Sequence, residues 1–162
     1  SGLVNDLRTV AVVAVANLVF AILLHFADRF PQREDMERIG LSRAVIIGLS
    51  QILALIPGVS RSGITMTAAR FMGITRTEAA RFSMLLAIPT ILGASAGSGY
   101  EIYRSGDIAL QQHALLAAAL SFVTAFIAIW GMMRWLRRAS FTPFVVYRVL
   151  LSAVLLVVVA FS

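Results

Sequence analysis

Three hydroxyl side chains, one guanidinium and two glycines lie within nine residues, Pro57-Gly58-Val59-Ser60-Arg61-Ser62-Gly63-Ile64-Thr65, in one of the most apolar parts of the chain. The nearest acids in sequence, Glu37 and Glu78, fall well outside this segment, so Arg61 has no local counter-ion. An arginine at membrane depth costs roughly 2.5–3.5 kcal/mol on insertion scales, and a bound anion would offset that cost. The residue types suit a phosphate. The planar fork of Arg61 can hold two oxygens at once. Ser60, Ser62 and Thr65 can donate hydrogen bonds, and Gly58 and Gly63 let backbone approach a ligand without a Cβ in the way. Pro57 ends a helix before the motif. Ser60 or Ser62 can cap a second helix after it, whose first N–H groups and positive dipole end attract anions. A plainer reading stays open, in which the serines only cap a buried helix break and Arg61 reaches a carbonyl or an acid from another segment.

The elements that must carry this motif are membrane elements. Of 162 residues, 59% are hydrophobic and 14% charged, whereas soluble domains run near ~45–50% and ~25%. The mean hydropathy is +0.87. All 14 basic residues are arginine and the net charge is +6, but the arginines flank apolar runs and form no single face, which argues against nucleic-acid binding. Without cysteine the chain has no disulfide, thiolate nucleophile or zinc-thiolate site.

Apolar runs predict an all-α, polytopic fold with spanning helices near 10–26, 76–98, 113–136 and 143–161, in one unit over 1–162. Between the first two spans, Ala44–Ile56 and Ser62–Met72 are too short to cross: about 13 residues at ~1.5 Å give ~20 Å against a ~30 Å hydrocarbon core. Two half-helices around a Pro/Gly/Ser loop predict a re-entrant hairpin over 43–73, with its 57–62 tip inside the membrane. Thr75 and Glu78 have capping-box spacing at the start of the next helix. That helix is expected to end in the glycine-rich 93–99 stretch, where Gly93 and Gly97 offer a close-packing face. With the hairpin entering and leaving on one side, segments 28–43, 70–81 and 134–138 put ten arginines there, against Arg8 and Arg104 on the other. The arginine-rich side is expected to be cytoplasmic.

Together with Gln51, Phe82-Ser83-Met84-Leu85-Leu86-Ala87-Ile88-Pro89 and Phe141-Thr142-Pro143-Phe144-Val145-Val146-Tyr147-Arg148, the 57–65 motif resembles the undecaprenyl-diphosphate phosphatases, the bacitracin-resistance family. The resemblance covers essentially the whole chain in order and spacing. It implies a bacterial inner-membrane enzyme that hydrolyses undecaprenyl diphosphate to the monophosphate and phosphate, recycling the lipid carrier of envelope polymers. It also implies catalytic roles for Ser60, Arg61 and Thr65, with substrate binding by Gly58, Ser60, Arg61, Ser62, Gly63 and Thr65. A divalent metal, magnesium or calcium, is implied as cofactor. The family is built as two inverted repeats, of which the first carries a glutamate-rich motif, a second serine loop and a histidine. None of these is present here, and residues 44–65 contain no acid.

The chain therefore reads as the C-terminal repeat: half a site, with the metal ligands elsewhere and inactive alone. Its expected partners are the polyprenyl diphosphate, membrane lipids and the missing N-terminal repeat, or else a second copy of itself. A transporter or lipid-phosphate flippase module is the alternative, because broken helices aimed at an anion and inverted repeats are also transporter features. His25 and His113 read as interfacial residues. Asp28, Glu34, Asp35 and Glu37 read as a solvated connector. Arg148, one and a half turns past Pro143, can snorkel to the interface, with a packing or ligand-facing role left open.

Overall fold

Helices make up the chain and no strand is present among the described residues. The computed structural model describes residues 2–35 and 38–161, with side chains from Thr9 onward; Ser1, Glu37 and the side chain of Arg8 lie outside the described residues. The elements are α1 (Gly2–Asp28), α2 (Leu41–Ser50) continued by a 3-10 turn (Gln51–Leu55), α3 (Arg61–Phe71), α4 (Arg76–Arg104), α5 (Ile108–Leu136) and α6 (Thr142–Ala160). Four stretches are long and apolar enough to cross a membrane: Thr9–Asp28, Arg76–Arg104, Ile108–Leu136 and Thr142–Ala160. The protein is an all-α, multi-pass membrane protein, as the apolar runs predict.

Helix α1 is the centre of the packing. Its buried residues Ala14, Asn17, Ala21, Leu24 and Asp28 recur at helical spacing and form one face. The alanines let backbones come close, which is how helices associate where lipid removes the usual hydrophobic drive. Helix α6 lies antiparallel on this face, with Phe141 beside Asp28 and Ser152 beside Asn17. Helix α3 runs parallel to α1 and is pinned at both ends. Its C-terminal Arg70 donates to the carbonyls of Asp28 and Phe30, while Gly58, just before its start, abuts Val13. On the far side of α3, Ile47 of α2 joins Ala69, Ile74 and Ala79 in a small core.

At the arginine-rich end the chain is tied by charge. The Asp28 carboxylate accepts two bonds from Arg76, at 2.6 and 3.2 Å, and a third from the Phe141 backbone N–H at 3.2 Å. Fully buried Arg70 lies 3.8 Å away and donates to three backbone carbonyls, those of Ile74, Asp28 and Phe30. The ends of α1 and α3 thus meet the beginnings of α4 and α6. Asp28 is not the solvated connector acid its sequence position suggests: it is 7% exposed.

Two local expectations differ from what is found. Thr75 is the residue before α4, but its side chain makes no capping bond. The 32–34 connector satisfies the helix start instead. Gln32 Oε1 accepts from Arg76 N, and Thr75 N donates to the Glu34 carbonyl. Helix α4 also continues through the 93–99 glycines to Arg104, because away from water only an unbroken helix satisfies its backbone groups. Nothing lies within 4 Å of a Cβ added at Gly93 or Gly97, so that small-residue face has no partner within the described chain.

Removing one partner of a buried ion pair costs about 3–5 kcal/mol because the other charge is left uncompensated. Asp28→Ala should therefore lower the thermal unfolding midpoint in detergent markedly, with Asp28→Asn intermediate because its amide oxygen still accepts. An unchanged midpoint for Asp28→Ala would show that the joint does not hold these four helix ends.

Candidate functional site

The 57–65 motif forms the turn between the two short helices. Pro57 closes the 3-10 segment, and the Val59 N–H bonds back to the Ile56 carbonyl at 3.1 Å. Gly58 has φ +94, a left-handed conformation that glycine adopts without strain. Its bare Cα is also needed for space, since a Cβ there would overlap the Val13 carbonyl oxygen and lie 2.8 Å from Val13 Cα. Ser60 caps α3, its Oγ accepting from Gly63 N at 3.2 Å. Ser62 Oγ stands 3.3 Å from Ser60 Oγ. The N-terminal N–H groups of an 11-residue helix thus point at the same place as two hydroxyls.

A cavity of about 320 Å³ opens in front of this turn. Its polar end is formed by Ser60, Ser62, Gly63, Asn17 and Arg148; its walls include Leu24, Met66, Met132, Phe144 and Leu151. Of the residues singled out from the sequence, Ser60, Ser62 and Gly63 are brought together here. Gly58 shapes the turn behind them. Arg61 is partly buried as the first residue of α3 and does not line this cavity; its side chain has no hydrogen-bond or ion-pair partner among the described residues. Thr65 is turned the other way. It is buried against α4, with its Oγ1 2.7 Å from Ser83 Oγ and bonded to the Arg61 and Ser62 carbonyls at 3.1 Å.

The guanidinium at the cavity belongs to Arg148, for which the sequence reading favours snorkelling. It is 9% exposed and does not reach the interface. Its Nε donates to Asn17 Oδ1 at 2.6 Å and its Nη2 to the Gly58 carbonyl at 3.3 Å. Asn17 in turn donates to the Arg148 carbonyl and to Ser152 Oγ, both at 3.0 Å. A polar asparagine inside the first apolar span, facing an arginine inside the last, is the signal that could have paired them. His25 lies at the other end of α1, in a depression with Asp28 and Arg76.

The donor set at the cavity is hydroxyls, N–H groups and one guanidinium, with no carboxylate. That set suits an anion. It does not fit magnesium or calcium, which take carboxylate and carbonyl oxygens. Among the described residues no three histidine, aspartate or glutamate side chains are close enough to share a metal.

Comparison with known proteins agrees with this chemistry. The profile of the family described as "Bacitracin resistance protein BacA" matches residues 2–154. A protein named "Undecaprenyl-diphosphatase 1" from Rhodospirillum rubrum is 49% identical over 147 residues, covering 90% of this chain and 52% of its own length. Proteins named "Undecaprenyl-diphosphatase" from Jannaschia sp. and Maricaulis maris are 44% and 47% identical over 159 residues, covering 98% and 96% of this chain and 60% and 59% of theirs. The chain thus spans between half and three-fifths of the length of these relatives.

The two glycines flanking the 3-10 segment should respond oppositely to a methyl group. Gly58→Ala imposes a left-handed backbone and an overlap with Val13, and should destabilise by at least ~1–3 kcal/mol. Gly48 lies inside α2 with nothing within 4 Å of an added Cβ, so Gly48→Ala should stabilise by roughly 0.5–1 kcal/mol. Unfolding midpoints of the two variants check this, and equal shifts would show that the Gly58–Val13 contact is not formed.

Proposed function

Since this chain belongs to the bacitracin resistance protein BacA family, we propose that it forms the phosphate-binding half of an inner-membrane phosphatase acting on undecaprenyl diphosphate. The observation that carries this reading is the cavity in front of Ser60 and Ser62, cationic and donor-rich at one end and hydrocarbon along its walls. An amphiphile with an anionic head matches both parts. In the reaction, a nucleophilic oxygen attacks the terminal phosphorus, the bond to the bridging oxygen breaks, and the monophosphate departs with the bridging oxygen. With water as the net nucleophile the second product is inorganic phosphate. Charge accumulates on the phosphoryl oxygens during transfer, so fixed donors placed around them lower the barrier.

Each residue of the motif then has a distinct role. Ser60 and Ser62 donate to phosphate oxygens, with the α3 N-terminus behind them. Arg61, whose side chain is uncommitted among the described residues, clamps the distal phosphoryl group. Gly58 and Gly63 keep the turn close to the ligand. Thr65 holds α3 against α4 and so fixes the direction in which the helix N-terminus points. The carboxylates that would hold a divalent metal and activate the nucleophile come from a second repeat, for which the greater length of the relatives leaves room.

The hairpin of α2 and α3 is re-entrant in this reading. Supporting it, α3 is about 16 Å long at ~1.5 Å per residue, and the turn at Gly58 meets α1 at Val13, fifteen residues from Asp28. The arginine-rich end faces the cytoplasm. Leu55 is 82% exposed beside the turn, so Leu55→Cys should label readily with a water-soluble maleimide in a short-chain detergent and slowly in sealed membranes. Equally fast labelling in sealed membranes would place the turn in water and remove the re-entrant reading.

Phosphate release tests the activity itself, using a long-chain prenyl diphosphate, added magnesium or calcium, and membranes from cells expressing the gene that encodes this chain. Arg61→Lys keeps the charge but loses the fork, and should lower turnover at least ~10-fold, since one donor to developing charge is worth ~2.7–4 kcal/mol. Unchanged turnover would take Arg61 out of the mechanism. Binding of the lipid diphosphate with no phosphate release from the unsubstituted protein would favour lipid transport over hydrolysis.

A further inference from the structure

The last turn of α5 gathers three arginines. Arg134, Arg137 and Arg138 stand three and four residues apart, and Arg137 keeps a helical backbone (φ −67, ψ −24) just past the end of the helix at Leu136. Side chains at that spacing share one face. All three are exposed, and among the described residues none has a carboxylate within ion-pair distance. Arg134 lies over the Trp130 ring, 5.8 Å from its centroid. The helix dipole and the topology of a membrane protein both favour arginines at such an end, and freely solvated side chains would serve either purpose. Neither purpose calls for a shaped surface. Here the three arginines line a depression of about 450 Å³ together with Gly131, where an added Cβ would meet nothing within 4 Å.

That depression runs on into hydrocarbon. It shares Trp135 and Ala139 with a groove of about 640 Å³ between the end of α5 and the start of α6. The Ser140 and Thr142 hydroxyls line the groove next to Ala139. Ser140 Oγ donates to Thr142 Oγ1 at 2.7 Å, and the Thr142 O–H has no acceptor among the described residues. Beyond them Pro143, Val146, Tyr147 and Leu150 recur at helical spacing, along roughly 10 Å of α6 at ~1.5 Å per residue. Val146, Tyr147 and Leu150 are 49%, 65% and 61% exposed, so no described part of the chain covers them. From one end to the other the surface presents cation, hydroxyl and hydrocarbon. Phosphate, glycerol ester and acyl chain follow one another in the same order in a phospholipid.

We propose that this surface binds an anionic phospholipid of the surrounding bilayer. The phosphate sits among Arg134, Arg137 and Arg138, the Thr142 hydroxyl meets an ester oxygen, and one acyl chain lies along Pro143, Val146 and Leu150. Charge complementarity selects the occupant. A zwitterionic headgroup would bring an ammonium to three unpaired cations, whereas a phosphatidylglycerol headgroup brings net negative charge. A soluble phosphate would leave the groove unfilled. The site is separate from the cavity in front of Ser60, with which it shares only Tyr147, and it does not rest on the phosphatase reading.

The test is native mass spectrometry of the detergent-solubilised full-length gene product, titrated with dioleoyl phosphatidylglycerol, dioleoyl phosphatidylcholine and glycerol 3-phosphate. Phosphatidylglycerol should bind more tightly than phosphatidylcholine, and glycerol 3-phosphate should not displace it. Replacing Arg134, Arg137 and Arg138 together by Gln should weaken phosphatidylglycerol by at least ~10-fold, as three arginines at a membrane surface act together on an anionic lipid, and leave phosphatidylcholine unchanged. Replacing Arg29, Arg33 and Arg38 by Gln removes the same charge from the same end of the molecule, outside the groove, and should change little. Should the first variant fail to fold, Val146→Cys decides the matter because it keeps every arginine. Alkylation of that cysteine by a maleimide should be slowed severalfold by phosphatidylglycerol and not by phosphatidylcholine. Equal weakening in the two triple variants would overturn the proposal and reduce the effect to bulk charge, as would equal slowing by the two lipids at Val146→Cys. Equal affinity of the unsubstituted protein for both lipids, the result expected if another protein segment fills the groove, would also overturn it. So would displacement by glycerol 3-phosphate, which would leave an anion site with no part for the hydrocarbon.

Discussion

The carboxylate of Asp28 is the constraint on which the rest of the arrangement depends. It accepts from Arg76 and from the Phe141 backbone, and it faces the buried guanidinium of Arg70. A single acid thus fixes the end of α1 relative to the end of α3 and the starts of α4 and α6. Charged groups tied this way are strong where they are shielded from water, and leaving one unpaired there is costly. The joint also holds the end of α3 beside the end of α1. Arg70 is drawn to the Asp28 and Phe30 carbonyls, and this anchors the C-terminal end of α3 while its N-terminal turn lies against Val13.

At the other end of α3 the problem is reversed. Polar groups must be held at depth without being consumed by one another. Asn17, Arg148 and Ser152 solve most of this by bonding across α1 and α6; the bond from the charged Arg148 Nε to Asn17 is worth about 1.5–3 kcal/mol, and the two neutral ones about 0.5–1.5 kcal/mol each. What remains uncommitted among the described residues is small and directed: one nitrogen of Arg148, one of the two hydroxyl protons of the Ser60–Ser62 pair, and the first N–H groups of α3. In the proposed function a ligand phosphate takes up that remainder, since its oxygens are acceptors and the groups left over are donors.

The packing is uneven along the chain. Helices α1, α3 and α6 bury their small and polar faces on each other, whereas no residue in the most apolar stretch of α5 is buried. The 93–99 face of α4 has open space over its glycines. In the proposed two-repeat architecture those surfaces meet lipid or the second repeat.

How much could be read beforehand follows from the range of each signal. Hydropathy and helix length are local sums, so four spans, two half-helices and the break at Pro57–Gly58 were legible from the chain alone. Ser60 as the cap of α3 was one of two candidates offered by the motif, because a cap is a contact over three residues. Asp28 and Arg148 were not legible in this way. Both look like interfacial charges until their partners, 48 and 131 residues away in the chain, are brought beside them. The Thr75 capping bond failed for the same reason, since a connector from another segment reached the helix start first. The sequence by itself determined which residues can hold an anion and that they sit in a break between short helices. Only the tertiary structure decided which of them face one cavity: it turned Thr65 to α4, left Arg61 outside and carried in Arg148 from the last span, because side-chain direction depends on which helix face is packed and not on proximity along the chain.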